Sequence, residues 1–319
     1  MVLNAVVIGT GLWGKNHARV YASLNNVNLY GVVDQDETRA KEIGKFYQTT
    51  YYTNVDEILQ NPEIDIISIC TPTETHADIA TMALKMGKNV LVEKPMTNTL
   101  VEAKTLIHLA KENKVKLTVG FVERFNPAVQ EALKHIKQGT IGDVILANTR
   151  RVSRRPLRIG DVGVVKDLAI HDIDIIAHLF PNSPETIYAT CGSIVHKFED
   201  YANINIRYKG NRNAFIETNW LTPSVKRDLT ITGTEGVITV QYRTQQITIE
   251  NDEQLIRPYL PTQEPLRNEL AAFVDCILND TEPVVTGTDG LKALTIAEAA
   301  LESSRTGKTV NYADFLNRY

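Results

Sequence analysis

The sequence predicts an α/β protein of two domains: a doubly wound parallel sheet, followed by an α+β domain with a large, open and mostly antiparallel sheet. Strand-like and helix-like runs alternate up to Gly120, whereas later strand-like runs follow one another with short turns. The chain of 319 residues is also long for a single core. We therefore expect one domain over 1–121 and a second over 122–319.

Short apolar runs rich in β-branched residues predict the strands of the first domain. The predicted strands are residues 2–8, 27–33, 49–52, 64–70, 89–93 and 116–120. Helices are expected between them, including 15–25, 75–86 and 100–113. This alternation is typical of a parallel sheet with helices on both faces.

Turn signals such as KGN and GTEG predict hairpins in the second domain. Its predicted strands are 185–195, 202–208, 213–219, 226–233, 237–242 and 246–250, and its helices are 127–138, one around Asp167, 264–278 and 290–306. A sheet with helices on one face needs cover on the other, which a second subunit could provide. We therefore expect a homodimer or homotetramer.

A glycine pattern follows the first predicted strand. Gly9, Gly11 and Gly14 stand in G-x-G-x-x-G spacing within GTGLWG, directly before a helix. The first glycine permits a tight turn, the second lets the backbone approach a pyrophosphate, and the third allows close contact between helix and strand. The pattern predicts a Rossmann dinucleotide site. The remaining loop residues of this expected cofactor site are Thr10, Leu12 and Trp13.

Asp34 directly follows the second predicted strand, 20 positions after Gly14. A carboxylate at this point accepts hydrogen bonds from the ribose hydroxyls and repels a 2′-phosphate. We therefore expect the cofactor to be NAD rather than NADP.

Two further strand ends carry unusual residues, at the edge of the sheet where ligands bind. TPTETH follows Cys70, and EKP follows Val92. A lysine at this edge could donate a hydrogen bond to a substrate hydroxyl, although Lys94 could instead pair with Glu93 in a solvated loop. The cofactor-site candidates in these segments are Thr71, Pro72, His76, Glu93 and Lys94.

The segment KDLAIHDIDIIAHLF places Asp167, His171, Asp174 and His178 on one helix face, amid isoleucine and leucine. A carboxylate that holds an imidazole can take a proton near neutral pH. The alternatives are a solvated face with a capping aspartate and a metal site. One helix face rarely supplies enough ligands by itself, so we predict no metal.

Five arginines precede this helix in an otherwise slightly acidic chain: Arg150, Arg151, Arg154, Arg155 and Arg158. A guanidinium group can donate two parallel hydrogen bonds to phosphate oxygens, so the cluster favours a substrate with a diphosphate. Alternatively, these arginines pair with acidic groups across a subunit interface. Trp220 could stack on a base or sugar ring, or pack in the core.

The composition of the chain limits the kinds of partner and the compartment that we expect. The net charge of −4 argues against nucleic acid, and the absence of an apolar run of about 18 residues argues against a membrane span. The three cysteines are far apart, as expected in a reducing compartment, so we expect a cytoplasmic protein.

Several of these motifs together resemble the Gfo/Idh/MocA oxidoreductases along essentially the whole chain: GTGLWG, Asp34, TPTETH, EKP and the D-x-x-x-H of Asp167 and His171. The resemblance implies an NAD-dependent enzyme in which Lys94, Asp167 and His171 form the catalytic group. It also implies that Glu93 and Pro72 line the nicotinamide side, and that the peptide bond from Lys94 to Pro95 is cis.

Within the family, ERFNP, RRVSRRPLRIGDVG, DLAIHDIDI and ETNWLTP look most similar to sugar-nucleotide dehydrogenases, especially UDP-N-acetylglucosamine 3-dehydrogenases. This similarity implies oxidation of a sugar's secondary hydroxyl, at C3 of a UDP-N-acetyl-hexosamine. The expected substrate residues are Arg124, Asn126, Arg151, Arg155, His171 and Trp220.

Three other functions stay open. They are a dehydrogenase of free sugars or polyols such as inositol, an NAD-dependent glycoside hydrolase, and a non-catalytic NAD-binding regulator. The presence of Lys94, Asp167 and His171 together counts against the regulator, which has no need of all three.

Overall fold

The computed structural model describes residues 1–154 and 162–319. Two compact units are present: a first unit of Met1–Phe121 and Leu266–Leu291, and a second unit of Val122–Pro265 and Lys292–Tyr319. The sequence places 266–291 in the second domain, whereas the structure groups them with the first unit. One reason is the hydrogen bond of 2.7 Å from Thr118 Oγ1 to the Val285 carbonyl.

The first unit contains a parallel sheet of six strands in the order β3-β2-β1-β4-β5-β6, which confirms the predicted doubly wound sheet. Its strands are β1 (Leu3–Ile8), β2 (Val27–Val33), β3 (Thr50–Tyr52), β4 (Ile66–Ile69), β5 (Asn89–Glu93) and β6 (Leu117–Gly120). Most of their side chains are buried, as expected for strands covered on both faces, except in the edge strand β3, where none is buried.

The α-helices of the described residues are α1 (Leu12–Tyr21), α2 (Glu37–Tyr47), α3 (Val55–Leu59), α4 (His76–Lys85), α5 (Leu100–Glu112), α6 (Pro127–Lys137), α7 (Ile170–Leu179), α8 (Pro265–Leu278), α9 (Gly287–Thr306) and α10 (Tyr312–Leu316). The first helix begins at Leu12, directly after Gly11, rather than at the predicted residue 15. No helix of the described residues is long and apolar enough to cross a membrane.

The second unit contains a sheet of nine strands in the order β14-β13-β12-β11-β7-β10-β9-β8-β15. The strands are β7 (Val144–Arg154), β8 (Thr186–Gly192), β9 (Tyr201–Tyr208), β10 (Arg212–Asn219), β11 (Leu221–Gly233), β12 (Val237–Gln241), β13 (Gln246–Glu250), β14 (Leu255–Ile256) and β15 (Val310–Asn311). Among the strand pairs of the described residues in this unit, only β7–β10 is parallel, so the predicted mostly antiparallel sheet is confirmed.

The central strand β7 is absent from the predicted strands. It contains Arg150 and Arg151, and its buried positions include polar Thr149 and charged Arg151. The segment therefore lacks the alternation of apolar and polar residues that predicts a strand. Its composition is instead that of a basic loop.

The chain enters α7 through a π-helical turn, Val165–Ala169. The sequence predicts a regular α-helix here. Such turns are rare and occur frequently at functional sites. Asp167 lies in this turn, so the regular spacing assumed for the four-residue face is interrupted.

Candidate active site

The glycines of the first unit shape a loop that fits a dinucleotide. A Cβ on Gly14 would lie 1.7 Å from the Gly9 carbonyl oxygen, and Gly9 itself has a φ of +87°. A Cβ on Gly11 would meet no atom within 4 Å, so the loop faces open space at that point. Helix α1 has Gly11 as its cap, no side-chain cap and no acidic residue in its first turn. Its first N–H groups and its dipole therefore favour a phosphate.

Asp34 follows β2 and accepts several hydrogen bonds. Its Oδ2 accepts from the Thr10 backbone N–H at 2.7 Å and from Thr10 Oγ1 at 2.8 Å, and its Oδ1 accepts from the Asp36 N–H at 2.9 Å. Burial raises the pKa of Asp34, but these hydrogen bonds and the charge of Arg39 outweigh burial, so the pKa lies below its ordinary value. The carboxylate is therefore ionised at neutral pH, as binding of ribose hydroxyls requires.

Arg39 was not among the predicted cofactor residues. Its Nη1 lies 3.4 Å from Asp34 Oδ2, on a side chain that is 44% exposed. Its position five residues after Asp34, in the first turn of α2, is the only sequence signal that points to it.

His76 links the two loops that follow β4 and β5. Its Nδ1 lies 2.9 Å from the Pro95 carbonyl oxygen and its Nε2 lies 2.9 Å from the Thr71 carbonyl oxygen. The side chain is buried, whereas Pro72 is exposed. His76 therefore holds the loops of the predicted cofactor site together.

A hydrogen bond links the Glu93 side chain to the Lys94 backbone. Glu93 is buried, and its Oε2 accepts the Lys94 backbone N–H at 3.2 Å. The bond from Lys94 to Pro95 is cis, as the resemblance implies. Burial of Glu93 disfavours the alternative in which the two side chains pair in a solvated loop.

Two buried residues next to this loop were missed by sequence reasoning. His17 Nε2 lies 3.1 Å from Glu93 Oε1, and His17 Nδ1 lies 2.7 Å from Ser68 Oγ. His17 stands three residues after Gly14, on the face of α1 that also buries Ala18 and Tyr21. This position in the helix is the sequence signal that could have pointed to His17.

In the second unit, Asp167 and His171 lie on consecutive helical segments and are both buried. The other two residues of the predicted face behave differently. Asp174 is buried against Arg124, with Oδ2 to Nε at 2.6 Å and Oδ1 to Nη2 at 2.9 Å, while His178 is exposed. The described residues contain no group of three or more histidines, cysteines or acidic residues that could hold a metal ion.

Arg151 is buried in an ion cluster. Its Nε and Nη2 donate to Asp172 at 2.9 and 3.0 Å, and its Nη1 donates to Glu123 at 3.0 Å. Burial lowers the pKa of Arg151, but the two carboxylates outweigh burial and raise it above its ordinary value. The geometry therefore supports an ion pair that anchors α7 to β7. Arg151 was expected to bind phosphate, and the structure instead gives its guanidinium group to Asp172 and Glu123.

The other arginines of the cluster differ from Arg151. Arg150 pairs with Glu217 at 3.0 Å and its side chain is 44% exposed. Arg154 is exposed at the end of β7. Arg155 and Arg158, which were also assigned to the cluster, lie outside the described residues.

Three further substrate candidates have structural roles. Arg124 is committed to Asp174, as described above. Asn126 caps α6 through the Ala128 N–H and donates to the Tyr242 carbonyl at 3.0 Å. Trp220 is buried, with its ring 5.5 Å from that of His196 in an edge-on arrangement. All three side chains are buried, so each has a packing role besides its predicted role in substrate binding, which stays a prediction.

Comparison with known families identifies the chain. The NAD-binding Rossmann-fold domain of the Gfo/Idh/MocA oxidoreductases matches residues 3–121, and the family's C-terminal alpha/beta domain matches residues 134–312. The chain belongs to this family. It is an NAD-dependent oxidoreductase, and its Gly11 loop and Asp34 fit that cofactor.

Two relatives of this Gfo/Idh/MocA chain are named for different substrates. Inositol 2-dehydrogenase of Rhizobium meliloti is 28% identical over 98% of this chain and 100% of that protein. UDP-N-acetylglucosamine 3-dehydrogenase of Acidithiobacillus ferrooxidans is 34% identical over 183 residues, which are 57% of this chain and 56% of that protein. A solved structure of the latter has a TM-score of 0.89 at 26% identity, covering 96% of this chain and 99% of that chain.

Proposed function

We propose that this protein oxidises the C3 hydroxyl of a UDP-N-acetyl-hexosamine and passes the hydride to NAD. The observation that carries the activity is the Lys94 loop, which Glu93 and His76 hold at the strand ends of an NAD-binding sheet. The substrate assignment draws on the 34% identity to a UDP-N-acetylglucosamine 3-dehydrogenase.

Three residues carry the proposed chemistry. His171 takes the hydroxyl proton as general base, a role that imidazole side chains commonly have. Asp167 orients the imidazole and stabilises its charged form. Lys94 donates a hydrogen bond to the same oxygen and stabilises the negative charge that develops there. Bound NAD supplies the hydride acceptor.

Phosphate binding is proposed for the arginines that remain after Arg151 is assigned to the ion cluster. Arg154 is exposed, and Arg155 keeps its sequence-based role as a phosphate ligand. A guanidinium group favours a diphosphate because it can donate two parallel hydrogen bonds.

A free cyclic polyol such as inositol is the second candidate substrate. Two observations favour it: Arg151 and Arg124 are committed to carboxylates, and an inositol dehydrogenase matches 98% of the chain. A polyol carries no phosphate and needs no arginine cluster.

A panel of substrates separates the candidates. NADH formation is measured with UDP-N-acetylglucosamine, free N-acetylglucosamine and myo-inositol at matched concentrations. The proposal predicts that kcat/KM is highest for the nucleotide sugar. A higher kcat/KM for myo-inositol selects the second candidate. A separate product analysis that shows cleavage of an added glycoside without net NADH selects the hydrolase. NAD binding without turnover of any substrate indicates a regulator.

The subunit count stays a prediction. Exposed apolar side chains of the nine-stranded sheet, including Leu146, Tyr188 and Phe215, support the proposed homodimer or homotetramer. Light scattering after size-exclusion chromatography would measure the mass directly. A monomer at micromolar concentration would contradict the expectation.

A further inference from the structure

A chain of buried polar contacts connects three elements of the first unit to the Lys94 backbone. His17 on α1 contacts Ser68 on β4 at 2.7 Å and Glu93 on β5 at 3.1 Å. The second oxygen of Glu93 accepts the Lys94 N–H at 3.2 Å. Because a carboxylate can only accept, the Nε2 atom of His17 carries the hydrogen of the contact with Glu93.

The neighbouring strand leaves room for this carboxylate. Gly120 ends β6, and a Cβ there would lie 3.0 Å from the Glu93 carboxyl carbon and 3.0 and 3.1 Å from its two oxygens. A larger residue would push the carboxylate away from its present position. Burial, and then the charge of Glu93, raises the pKa of the nearby Cys70 thiol well above its ordinary value, so the thiol stays neutral. The Glu93 carboxylate is thus held by His17 on one side and bounded by Gly120 on another.

Stability alone does not account for these contacts. Burial of polar groups costs free energy, and the hydrogen bonds between them recover little more than that cost. The contacts do fix the orientation of the Glu93 carboxylate, however, because it receives one donor from α1 and one from the Lys94 backbone. The Lys94 loop is therefore tied to the helix whose N-terminus is expected to face the cofactor phosphates.

We propose that His17 is a positioning residue, which holds the Glu93 carboxylate and through it the backbone of Lys94. The inference rests on the proposed role of Lys94 in hydride transfer. Helix α1 would then have a second role besides phosphate binding, because it would also fix the position of the Lys94 backbone.

Two substitutions of His17 test the link. In His17→Gln the side-chain amide reaches the place of Nε2 and can still donate to Glu93, whereas in His17→Asn it reaches only the place of Nδ1. We expect His17→Asn to lower kcat by about 10²-fold, as a small misplacement of a reacting group does. It should also speed amide hydrogen exchange at Lys94. The dissociation constant for NAD, measured by calorimetry, should change by less than about twofold, since α1 keeps its N-terminus.

The conservative variant and a matched control complete the design. His17→Gln should retain most of the turnover and slow exchange at Lys94. His108→Asn, whose side chain on α5 is 77% exposed in the same unit, should behave like the wild type. Equal losses in His17→Gln and His17→Asn would overturn the proposal, as would wild-type kcat and exchange in His17→Asn.

A second variant keeps the test decisive if His17→Asn does not fold. Glu93→Ala removes the acceptor of both contacts, so the same loss of kcat and faster exchange at Lys94 are expected, and wild-type values for both would overturn the proposal. Failure of the proposed function has a different signature. Undiminished turnover in Lys94→Ala would refute the role of the lysine, while exchange at Lys94 in the His17 variants would still report the link.

Discussion

Charged residues serve different purposes in the two units. In the first unit, Asp34 accepts the Thr10 and Asp36 N–H groups, and Glu93 accepts the Lys94 N–H and contacts His17. In the second, two aspartates on α7 each accept two hydrogen bonds from a different buried arginine: Asp172 from Arg151, and Asp174 from Arg124. Carboxylates of the first kind lie where a cofactor can bind, whereas those of the second kind are neutralised inside the protein.

This difference teaches how an arginine-rich segment should be interpreted. Arg151 stands in the same short run as Arg154, yet the first is buried and the second is exposed. Successive residues of a strand point to opposite faces, so a basic run on a strand mixes buried and exposed positions. The five predictions that follow test the comparison, beginning with the largest expected effect.

The catalytic group should give the largest effect. His171→Ala and Lys94→Ala should each lower kcat by about 10²–10⁴-fold, because a general base contributes a factor of that order. His178→Ala, an exposed position on the same helix, is the matched control and should leave kcat unchanged. The combined defect of the double variant should be smaller than the product of the single defects, since both residues are proposed to act on one hydroxyl. Near-wild-type turnover in His171→Ala would exclude it as the base.

The two arginines of β7 should differ in stability. Arg151→Ala removes the buried guanidinium group that neutralises Asp172 and Glu123, so it should lower the free energy of unfolding by about 3–5 kcal/mol. Arg154→Ala should change it by less than about 0.5 kcal/mol and should raise KM for the UDP-sugar. Urea denaturation and initial rates measure the two effects. Unchanged stability in Arg151→Ala, together with a raised KM, would return that residue to the phosphate site.

Two glycines of the loop should fail in different ways. Gly14→Ala places a Cβ against the Gly9 carbonyl, so it should lower stability by about 1–3 kcal/mol or more. Gly11→Ala meets no protein atom and should keep its stability, but it should weaken NAD binding because the methyl group enters the space expected for the pyrophosphate. Thermal melting and calorimetry separate these outcomes. Wild-type NAD affinity in Gly11→Ala would move the phosphates away from this loop.

Cofactor choice should depend on Asp34 and Arg39. Asp34→Ser removes the charge that repels a 2′-phosphate and releases Arg39 from its ion pair. We expect NADP binding to improve by about 1.5–3 kcal/mol, the range for a charge-assisted hydrogen bond. Asp34→Ser combined with Arg39→Ala should lose that gain. If the unmodified protein binds NADP as well as NAD in a titration, the assigned role of Asp34 is wrong.

The smallest effect concerns acid stability in the second unit. Burial raises the pKa of Asp200, but backbone N–H groups of Val195, Ile194 and His196 donate to it and hold the pKa below its ordinary value of 3.8. A lowered folded pKa contributes stability above the unfolded pKa, and this contribution is lost as the pH falls through the folded value. The stability difference between wild type and Asp200→Asn should therefore shrink below about pH 4. A difference that stays constant on acidification would contradict this assignment.

The sequence predicted the first unit more completely than the second for a physical reason. Gly9, Gly14 and Asp34 act through backbone geometry at the ends of strands, so their spacing alone carries the signal. Arg124 and Arg151 act through partners 50 and 21 residues away, and a sequence does not show which carboxylate faces which guanidinium. Strand β7 was missed because its buried face contains polar residues. His17 was missed because its partner Glu93 is 76 residues away.

Isotope transfer tests the proposed reaction most directly. UDP-N-acetylglucosamine with deuterium at C3 is incubated with the protein and NAD, and the reduced nicotinamide is analysed by mass spectrometry. The proposal predicts that the deuterium appears in the reduced cofactor, and that His171→Ala forms it far more slowly. Reduced cofactor without deuterium would contradict oxidation at C3. No reduction with this substrate, while myo-inositol reduces NAD in the same preparation, would contradict the nucleotide-sugar assignment itself.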